Sequence, residues 1–533
     1  MQFNLADLWE AVADAIPHRE ALVSGERRLT YGDTDERANR LAHHLAARGI
    51  GPGDHVALLL YNCTEYLEGM LAAFKLRAVP INVNYRYMEE ELRYILDDSD
   101  AKAIVFHREF APKVAAVHDA LPLLTTCLLV DDASGVDASG IAAVEYEEAL
   151  RASSSARDFE PRSADDLYIL YTGGTTGQPK GVMWRSHDIF FAGLGGGNLG
   201  DAPITAPEQV VEKLDEHRRT LPACPLMHGT AHWFALGTLY AGGTVVLSPD
   251  HHFDPVRLWE VIAHEGVTFL VIVGDAFARP LVEALDELDP SLDLSSLTVV
   301  LSGGAILSPS VKALWVQKLP STILIDGFGS SESGGQGSSI TAAGGPIETA
   351  PRFRVDAETT VLDDDLHPAP VGAVGKLARR GHVPLGYYKD LAKTAVTFPV
   401  IDGVRWSVPG DHARIEPDGT ITVLGRGSVS INTGGEKVYP EEVEAAVKSH
   451  PAVFDAVVVG VPDERWGQRI AALVQLRPGA SLTGDELADH VRAQLASYKA
   501  PRELVIVDAV VRSPSGKPDY RWARATAERA ERA

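Results

Sequence analysis

Cysteine is scarce in this chain, since Cys63, Cys127 and Cys224 are the only three among 533 residues. They lie far apart and form neither a CxxC pair nor a spacing typical of a metal site. A secreted fold held together by disulfides is therefore disfavoured. We expect small, buried hydrophobic cysteines of a reducing compartment.

Positive charge and long apolar runs are scarce as well. The chain has 49 Lys and Arg against 73 Asp and Glu, a formal net charge of -24. So acidic a surface repels nucleic-acid phosphates and anionic lipid headgroups, although a local basic pocket for an anion remains compatible with it. No apolar stretch is long enough to span a membrane, and "MQFNLADLWEAVADA" has acids where a signal peptide would be basic. We expect a cytoplasmic protein with no membrane span and no nucleic-acid partner.

Short apolar runs bounded by Gly, Pro or Asp alternate with amphipathic stretches. This alternation predicts an α/β fold of layered sheets and helices with buried, mostly parallel strands. Helical stretches include "YLEGMLAAFKL" from Tyr66 and "PSVKALWVQKL" from Pro309. The candidate strands are "HVALLL" from His55, "AKAIVF" from Ala101, "TTCLLV" from Thr125, "DLYILYT" from Asp166, "GTVVLS" from Gly243, "VTFLVIV" from Val267, "LTVVLS" from Leu297 and "STILIDG" from Ser321.

The pattern changes in the last fifth of the chain. After a turn-rich segment come "FDAVVVGVPD", "RIAALVQL", "TGDELADHVRAQL" and "RELVIVDAV", which read as strand, strand, helix and strand. This order predicts a compact α+β unit of roughly minimum domain size. We place the boundary near Arg426, with a large domain over residues 1–426 and a small one over residues 427–533.

The stretch "LYILYTGGTTGQPKGV", Leu167 to Val182, combines a strand, a loop rich in Gly and Thr, and Lys180 ahead of a helical pattern from about Ser186. Glycines let backbone amides close on oxyanions, and hydroxyl groups and an ammonium add donors. A tight strand-to-helix turn is the alternative, but the coincidence of these features favours phosphate binding. No Ser or Thr follows the lysine, so the Walker pattern of γ-phosphate hydrolases is disfavoured.

Five segments, in order, resemble the adenylate-forming enzymes, which include acyl-CoA synthetases, luciferases and the adenylation domains of peptide synthetases. They are "YTGGTTGQPKGV", "LSGGA" at Leu301, "DGFGSSESG" at Asp326, "PGDHARIEPDGTITVLGRG" from Pro409 and "SPSGKPDYRWAR" from Ser513. The resemblance covers essentially the whole chain. Within the family, the sequence is similar to actinobacterial CoA synthetases that activate fatty acids and sterol side-chain carboxylates.

The resemblance implies that a substrate carboxylate attacks the α-phosphate of ATP and that the thiol of coenzyme A then displaces AMP. Lys517, on the small domain, would reach into the cleft and bridge the carboxylate and the α-phosphate. Ser331 would contact the α-phosphate, and Glu332 would bind Mg2+ together with Thr176. Without the resemblance, Lys517 and Glu332 would be read as residues that face water.

Other residues are implied to bind ATP or AMP. Asp326 would accept from the adenine amino group, Phe328 would stack on adenine, Asp411 would accept from ribose hydroxyls, and Arg426 would donate to ribose or phosphate. The alternative to nucleotide binding is that Asp411 only forms a turn and that Arg426 only forms an ion pair at the surface. Missing side chains after a strand leave room for a flat base at Gly303, Gly304, Ala305 and Gly327. The β- and γ-phosphates would be held by Thr172, Gly173, Gly174, Thr175, Thr176, Gly177 and Lys180.

The small domain is implied to rotate between the two half-reactions. Its hinge would be Ser428, where most relatives have Asp or Lys. After the rotation a glycine-containing loop would face the active site and line the CoA channel with Gly434, Gly435, Glu436 and Lys437. The sequence shows no base for the CoA thiol.

The segment "CPLMHGTAHWFAL", Cys224 to Leu236, matches the acyl-binding segment of relatives. We expect His228 to take part in catalysis, Trp233 to line the acyl pocket with Gly329 and Ala276, and His232 to be an ordinary core residue. Amino-acid adenylation domains usually place an Asp here, and none lies between Cys224 and Ala241. This disfavours an α-amino acid and favours an apolar acyl group.

We therefore expect an ATP-dependent acyl-CoA ligase that uses Mg2+. Its partners would be ATP, CoA and an apolar carboxylic acid, either a medium- or long-chain fatty acid or a steroid side-chain acid. An acyl-AMP ligase that loads an acyl carrier protein is one alternative, although the long insertion often found in such relatives is absent. A non-catalytic nucleotide-binding protein is another, although the motif residues Lys180, Glu332, Asp411, Arg426 and Lys517 are all present. Acyl chain length is not readable, and a homodimer is left open.

Overall fold

The computed structural model describes residues 1–173, 178–197, 202–347, 352–433, 436–463, 466–513 and 516–530. Its α-helices are α1 Leu5–Ala15, α2 Tyr31–Ala47, α3 Thr64–Lys75, α4 Glu89–Asp98, α5 Ala111–His118, α6 Tyr146–Arg151, α7 Ser186–Ala192, α8 Gly229–Tyr240, α9 Pro255–Glu265, α10 Gly274–Ala284, α11 Pro309–Lys318, α12 Leu391–Thr397, α13 Pro440–Lys448, α14 Gly484–Arg492 and α15 Tyr520–Ala530.

The strands of the first part of the chain are β1 Glu20–Ser24, β2 Arg27–Thr30, β3 His55–Leu59, β4 Val79–Asn82, β5 Ala101–His107, β6 Thr126–Val130, β7 Val144–Glu145, β8 Leu167–Thr172, β9 Lys180–Arg185, β10 Arg219–Pro222, β11 Thr244–Leu247, β12 Phe269–Ile272 and β13 Val299–Gly303. Those that follow are β14 Ile323–Ser330, β15 Gly334–Thr341, β16 Arg352–Val355, β17 Thr359–Leu362, β18 Val374–Arg379, β19 Gly386–Tyr387, β20 Val400–Ile401, β21 Val404–Arg405, β22 Asp411–Ile415, β23 Ile421–Arg426, β24 Ile431–Thr433, β25 Glu436–Val438, β26 Val453–Asp463, β27 Gly467–Leu476 and β28 Glu503–Ile506.

The largest sheet in the described part of the chain has 13 strands, in the order β17-β18-β22-β23-β16-β15-β14-β13-β12-β10-β11-β1-β2. From β14 through β13, β12 and β10 to β11 and β1 the neighbours are parallel, as the buried apolar runs predicted. From β14 to β17 all neighbours are antiparallel. The expectation of mostly parallel strands is therefore wrong for this half, where hairpin-like connections replace helical crossovers.

Two further sheets complete the large unit. A parallel sheet has the order β4-β3-β5-β6-β7, and a three-stranded antiparallel sheet has the order β19-β9-β8. All eight predicted strands are confirmed, as are the helices predicted from Tyr66 and Pro309. Strand β9, between the glycine-rich loop and α7, was missed.

The last part of the chain forms a compact α+β unit. Strands β25-β24-β27-β26 are antiparallel, β28 adds to β27 in parallel, and α13, α14 and α15 pack on them. This is the predicted order of strand, strand, helix and strand. Valines and alanines of β26 and β27 alternate between two apolar clusters, so both faces of the sheet are covered. Strand β23 ends at Arg426, where the boundary was predicted.

Two expectations about the whole chain concern its cysteines and membranes. Cys127 and Cys224 are buried free thiols as expected, whereas Cys63 is only half-buried. Within the described residues, no helix combines the length and the apolar character that a membrane crossing requires.

Candidate active site

The glycine-rich loop connects two antiparallel strands. Thr172, at the end of β8, lies opposite Lys180, at the start of β9. Any side chain at Gly181 would meet the ring of Tyr171 at 2.8 Å, so the glycine lets the two strands pair closely. The expected phosphate-binding residues Gly174, Thr175, Thr176 and Gly177 lie outside the described residues, whereas Gly173 is described.

Lys180 does not stand free at the end of this loop. Its ammonium forms an ion pair with the carboxylate of Asp390, the residue that caps the start of α12. The hydrogen bond from Lys180 holds the pKa of Asp390 below its usual range. A polyphosphate that binds Lys180 therefore competes with Asp390. Motif spacing could not identify this partner, because it lies 210 positions away.

Glu332, in the turn after β14, is buried and held from several sides. Its Oε1 accepts a hydrogen bond of 2.8 Å from the hydroxyl of Tyr387, and its backbone carbonyl accepts one of 2.6 Å from Ser407. The carbonyl of the neighbouring Ser331 accepts from the indole of Trp184 at 3.1 Å. The turn is thus fixed by residues from three other segments, none of which the sequence reasoning identified.

Asp411 and Arg426 face each other across β22 and β23. They are direct partners in the strand register, and the Arg426 Nε lies 3.6 Å from the Asp411 Oδ1. Burial raises the pKa of Asp411, although Arg426 opposes the shift. The pair places a carboxylate and a guanidinium at the same end of a hairpin, so the predicted acceptor for ribose hydroxyls and the predicted donor to ribose or phosphate are neighbours.

The loop with Lys517 reaches from the small unit to the large one. Gly516 has φ +74°, and a side chain there would meet the Val273 carbonyl at 3.2 Å and Ala276 at 3.4 Å. Arg512 donates to the Gly516 carbonyl at 2.9 Å, and the Ser513 N–H donates to the Lys517 carbonyl at 2.8 Å. The positive φ of Gly516 is a conformation that glycine adopts more readily than other residues. The turn sets Lys517 against the junction of β12 and α10.

Lys517 shares its electrostatic environment with the other predicted residues. The Lys517 side chain is exposed, yet the protein atoms around it displace part of its water and lower its pKa. Arg426 lowers the pKa further, while Glu332 and Asp411 oppose the shift. Burial, and next Lys517, lower the pKa of His228 to about 3. Residues predicted from four separate motifs therefore interact through their charges: the Lys517 ammonium with the Arg426 guanidinium, with two carboxylates and with the His228 imidazole.

The expected adenine site lies at the carboxyl end of β13 and the adjoining middle of β14, where Gly303 pairs with Gly327. Asp326 is buried, and its Oδ2 is paired with the Lys312 ammonium of α11 at 2.8 Å, a partner that the sequence reasoning missed. Phe328 packs against Phe353 with ring centroids 4.6 Å apart. Gly303 ends β13. Gly304, Ala305 and Gly327 lie beside this edge as expected, with Gly304 exposed.

The segment expected to bind the acyl group runs into α8. The Nε2 atom of His228 is buried and has no hydrogen-bond partner among the described residues. The Nδ1–H of His232 donates to the Leu226 carbonyl at 2.7 Å, and its Nε2 contacts the Tyr168 hydroxyl. His232 is buried, so its expected core role is confirmed. His228 thus keeps a free polar atom, whereas His232 does not.

Trp233 is buried, and its indole N–H donates to the Tyr168 hydroxyl at 2.8 Å. A Cβ at Gly193 would lie 3.1 Å from its ring, so Gly193, which was not predicted, packs against the expected pocket residue. Ala276 is partly buried next to Gly516. At Gly329 a Cβ would lie 2.2 Å from the Gly334 carbonyl, so strand packing alone already requires that glycine.

The expected hinge lies in a short 3-10 turn, Gly427–Val429. A Cβ at Gly427 would lie 2.4 Å from the His412 ring, so close packing requires glycine beside the hinge. The main chain of Ser428 belongs to this turn, and its side chain lies outside the described residues. Gly434 and Gly435 also lie outside the described residues. Glu436 and Lys437 are exposed on β25.

Comparisons with known proteins cover nearly the whole chain. The AMP-binding enzyme family matches residues 9–388, and its C-terminal domain matches residues 442–517. The chain is 49% identical to the 3-oxocholest-4-en-26-oate–CoA ligase of Rhodococcus rhodochrous, over 98% of this chain and 96% of that enzyme. It is 47% identical to the medium/long-chain-fatty-acid–CoA/3-oxocholest-4-en-26-oate–CoA ligase of Mycolicibacterium smegmatis, over 99% and 97% of the two chains. The crystal structure of ATP-bound MatB from Rhodopseudomonas palustris superposes with a TM-score of 0.81 at 25% identity, over 99% of both chains.

Proposed function

The chain belongs to the AMP-binding enzyme family, and from that premise we propose how its residues carry out the reaction. The protein is an acid–thiol ligase that activates a carboxylic acid with ATP and transfers it to CoA. The observation that supports the residue assignment best is the convergence of Lys517, Glu332, Asp411, Arg426 and His228 on one cleft.

The acid is apolar: a medium- or long-chain fatty acid or a steroid side-chain acid. Two relatives that cover almost the whole chain are named for these substrates. The buried Trp233 and the small residue Ala276 beside the cleft suit an apolar group. No acidic residue lies between Cys224 and Ala241 to pair with the amine of an amino acid.

The first half-reaction brings two anions together. The carboxylate oxygen attacks the α-phosphorus, the bond to the bridging oxygen breaks, and pyrophosphate leaves with the electron pair. Lys517 and Arg426 supply positive charge next to the substrate carboxylate and the α-phosphate. Because both charges are in place before the reaction, they stabilise the transition state without reorganisation. Lys180 leaves Asp390 to contact the outer phosphates, and Asp411 fixes the ribose.

Mg2+ is proposed at Glu332, where the residues present fit it. The carboxylate is a hard oxygen donor, it is buried, and Tyr387 orients it with a hydrogen bond of 2.8 Å to Oε1. When bound, the ion neutralises phosphate charge and orients the leaving pyrophosphate. Thr176, the second proposed ligand, lies outside the described residues.

In the second half-reaction the CoA sulfur attacks the acyl carbon of the acyl adenylate. The bond between the acyl carbon and the phosphate oxygen breaks, and AMP leaves with the electron pair. We assign the required change of surroundings to rotation of the small domain, residues 427–533, about the turn at Ser428. That rotation withdraws Lys517 and brings the exposed Glu436 and Lys437 toward the cleft. A cytoplasmic location and a homodimeric state remain predictions.

The test is a panel of acids assayed for both half-reactions with the purified full chain. We expect acid-dependent exchange of labelled pyrophosphate into ATP with long-chain fatty acids or steroid side-chain acids, and AMP release that requires CoA. Exchange without CoA-dependent turnover would favour a ligase that loads an acyl carrier protein. Absence of exchange with every acid would favour a non-catalytic nucleotide-binding protein.

A further inference from the structure

Three side chains that commonly bind transition metals meet where β9 runs into α7. His187 and Asp188 lie in the first turn of α7, and His382 lies shortly before β19. One donor atom of each lies within 4.8 Å of the other two. Across the described ranges of the chain, this is the one group of three or more His, Cys, Asp or Glu residues with that arrangement. None of the three has a role in the proposed reaction.

The donor atoms have the spacing of a ligand set. The Oδ1 of Asp188 lies 2.9 Å from the Nδ1 of His382 and 3.2 Å from the Nδ1 of His187. Two ligands bound to one tetrahedral ion at bond lengths of about 2.0–2.1 Å are separated by about 3.3 Å. An ion therefore fits among the three atoms with small movements of the side chains.

The surroundings hold these side chains in place. The Nε of Arg185 donates to the other carboxylate oxygen of Asp188 at 2.6 Å, which leaves Oδ1 directed at the two imidazoles. Phe191 stacks on His382 with centroids 4.7 Å apart and lies 5.1 Å from His187. Such outer contacts orient metal ligands in known sites.

Access to the cluster is compatible with binding from solution. The Asp188 side chain is only 5% exposed, whereas those of His187 and His382 are 30% and 39% exposed. The carboxylate is thus enclosed, while the imidazoles border solvent and leave room for a water ligand. Without a metal, two imidazoles that share one carboxylate form an ordinary hydrogen-bonded cluster, and the experiment below separates the two cases.

We propose that His187, Asp188 and His382 bind one divalent transition-metal ion of the Zn2+ class, with water completing the coordination. Two imidazole nitrogens and one carboxylate oxygen suit Zn2+, Co2+ or Ni2+, whereas Mg2+ prefers oxygen ligands only. The ion links α7 to the segment that continues into Tyr387, the hydrogen-bond partner of Glu332. It therefore reinforces the support of the active-site carboxylate from outside the cleft.

The test uses the untagged full chain, stripped of metal and titrated with Co2+ and Zn2+. We expect the wild type to bind one equivalent, with visible Co2+ absorption bands typical of tetrahedral coordination. H382A and H187A each remove one ligand, so both should weaken binding by roughly 10- to 100-fold or more. H217A is the matched control, since the His217 side chain is 89% exposed, and it should bind as the wild type does.

A second measurement keeps the proposal testable if one variant folds poorly. Zn2+ should raise the Tm of the wild type and of H217A, and the same Zn2+ concentration should raise the Tm of H187A and of the more conservative H382Q by much less. Circular dichroism before metal is added checks the fold of each variant. Equal metal binding by the wild type, H187A and H382A, or the absence of a saturable site in the wild type, overturns the proposal.

Discussion

Replacement of Lys517 by alanine separates the two half-reactions. The loop is anchored through main-chain atoms, because Arg512 donates to the Gly516 carbonyl and the Ser513 N–H donates to the Lys517 carbonyl. Alanine removes the ammonium and leaves these bonds within the small unit intact, so the loop keeps its main-chain conformation. The variant therefore tests the charge itself and not the position of the loop.

The expected loss follows from what the ammonium does in the cleft. It is a preorganised donor among Glu332, Asp411 and Arg426. Loss of one such donor costs about 2.7–4 kcal/mol of transition-state stabilisation, or about 100- to 1,000-fold in rate. Acid-dependent pyrophosphate exchange should fall by this factor. Conversion of supplied acyl-AMP and CoA into thioester should stay within about threefold, which is under 1 kcal/mol.

The pH profile gives an independent check. Because the pKa of Lys517 lies below its ordinary value of 10.5, the cation is present at low pH and is lost as pH rises through the lowered pKa. Pyrophosphate exchange should therefore decline on the alkaline side below pH 10.5 in the wild type. K517R, whose guanidinium stays charged, should lose that decline in whatever activity it keeps.

Arg492 supplies the control for a lost positive charge on the same unit. Its side chain is 50% exposed and pairs with Asp489 on its own helix, α14. R492A should leave both half-reactions unchanged. If K517A forms acyl-AMP as fast as R492A does, the assignment of Lys517 to the first half-reaction is refuted.

Three further perturbations address other groups of the site. D390N frees Lys180 from an exposed ion pair worth about 0.2–1 kcal/mol, so the KM for ATP should fall by up to about fivefold. An unchanged or higher KM for ATP would contradict the proposed competition between Asp390 and the polyphosphate. K312M leaves the buried Asp326 carboxylate unpaired and should lower the free energy of unfolding, measured in urea, by about 3–5 kcal/mol. A loss below about 1 kcal/mol would show that the ion pair is dispensable for stability. Burial raises the pKa of Glu441 from 4.5 to about 8. Between these two pH values the folded chain keeps a proton that the unfolded chain releases, so the contribution of Glu441 to the free energy of unfolding falls as pH rises from 4.5 to 8. E441Q should therefore gain Tm relative to the wild type between pH 5 and pH 8, and a constant difference would argue against a buried neutral carboxyl.

The pattern of the sequence predicted the elements and the motifs well, because both are local properties. A run such as "VTFLVIV" from Val267 predicts a buried strand without knowledge of its neighbours, and β12 confirms it. Strand β9 was missed because Lys180 and Gly181, at its start, read as a continuation of the loop.

Partners that meet through the fold were not readable. Tyr387 lies 55 positions from Glu332, and Asp390 lies 210 positions from Lys180. Each is an ordinary tyrosine or aspartate in the sequence, and only the pairing of β19 with β9 brings their segment beside the site. Periodicity and motif spacing carry no information about such contacts, so the polar supports of a site have to come from the structure.

The packing between the two units bears on the proposed rotation of the small one. Among the described residues, no apolar cluster combines residues from before and after Gly427, and the small unit has two clusters of its own. Arg477 bonds to Glu283 across the interface at 2.9 Å, but both side chains are about one-third exposed, and such pairs are worth about 0–1 kcal/mol. Rotation therefore uncovers no shared core. The docked arrangement also has a buried ion pair between the units, since the Lys448 Nζ lies 3.7 Å from the Asp275 Oδ2. The proposed rotation must break this pair and withdraw Gly516 from Val273 and Ala276.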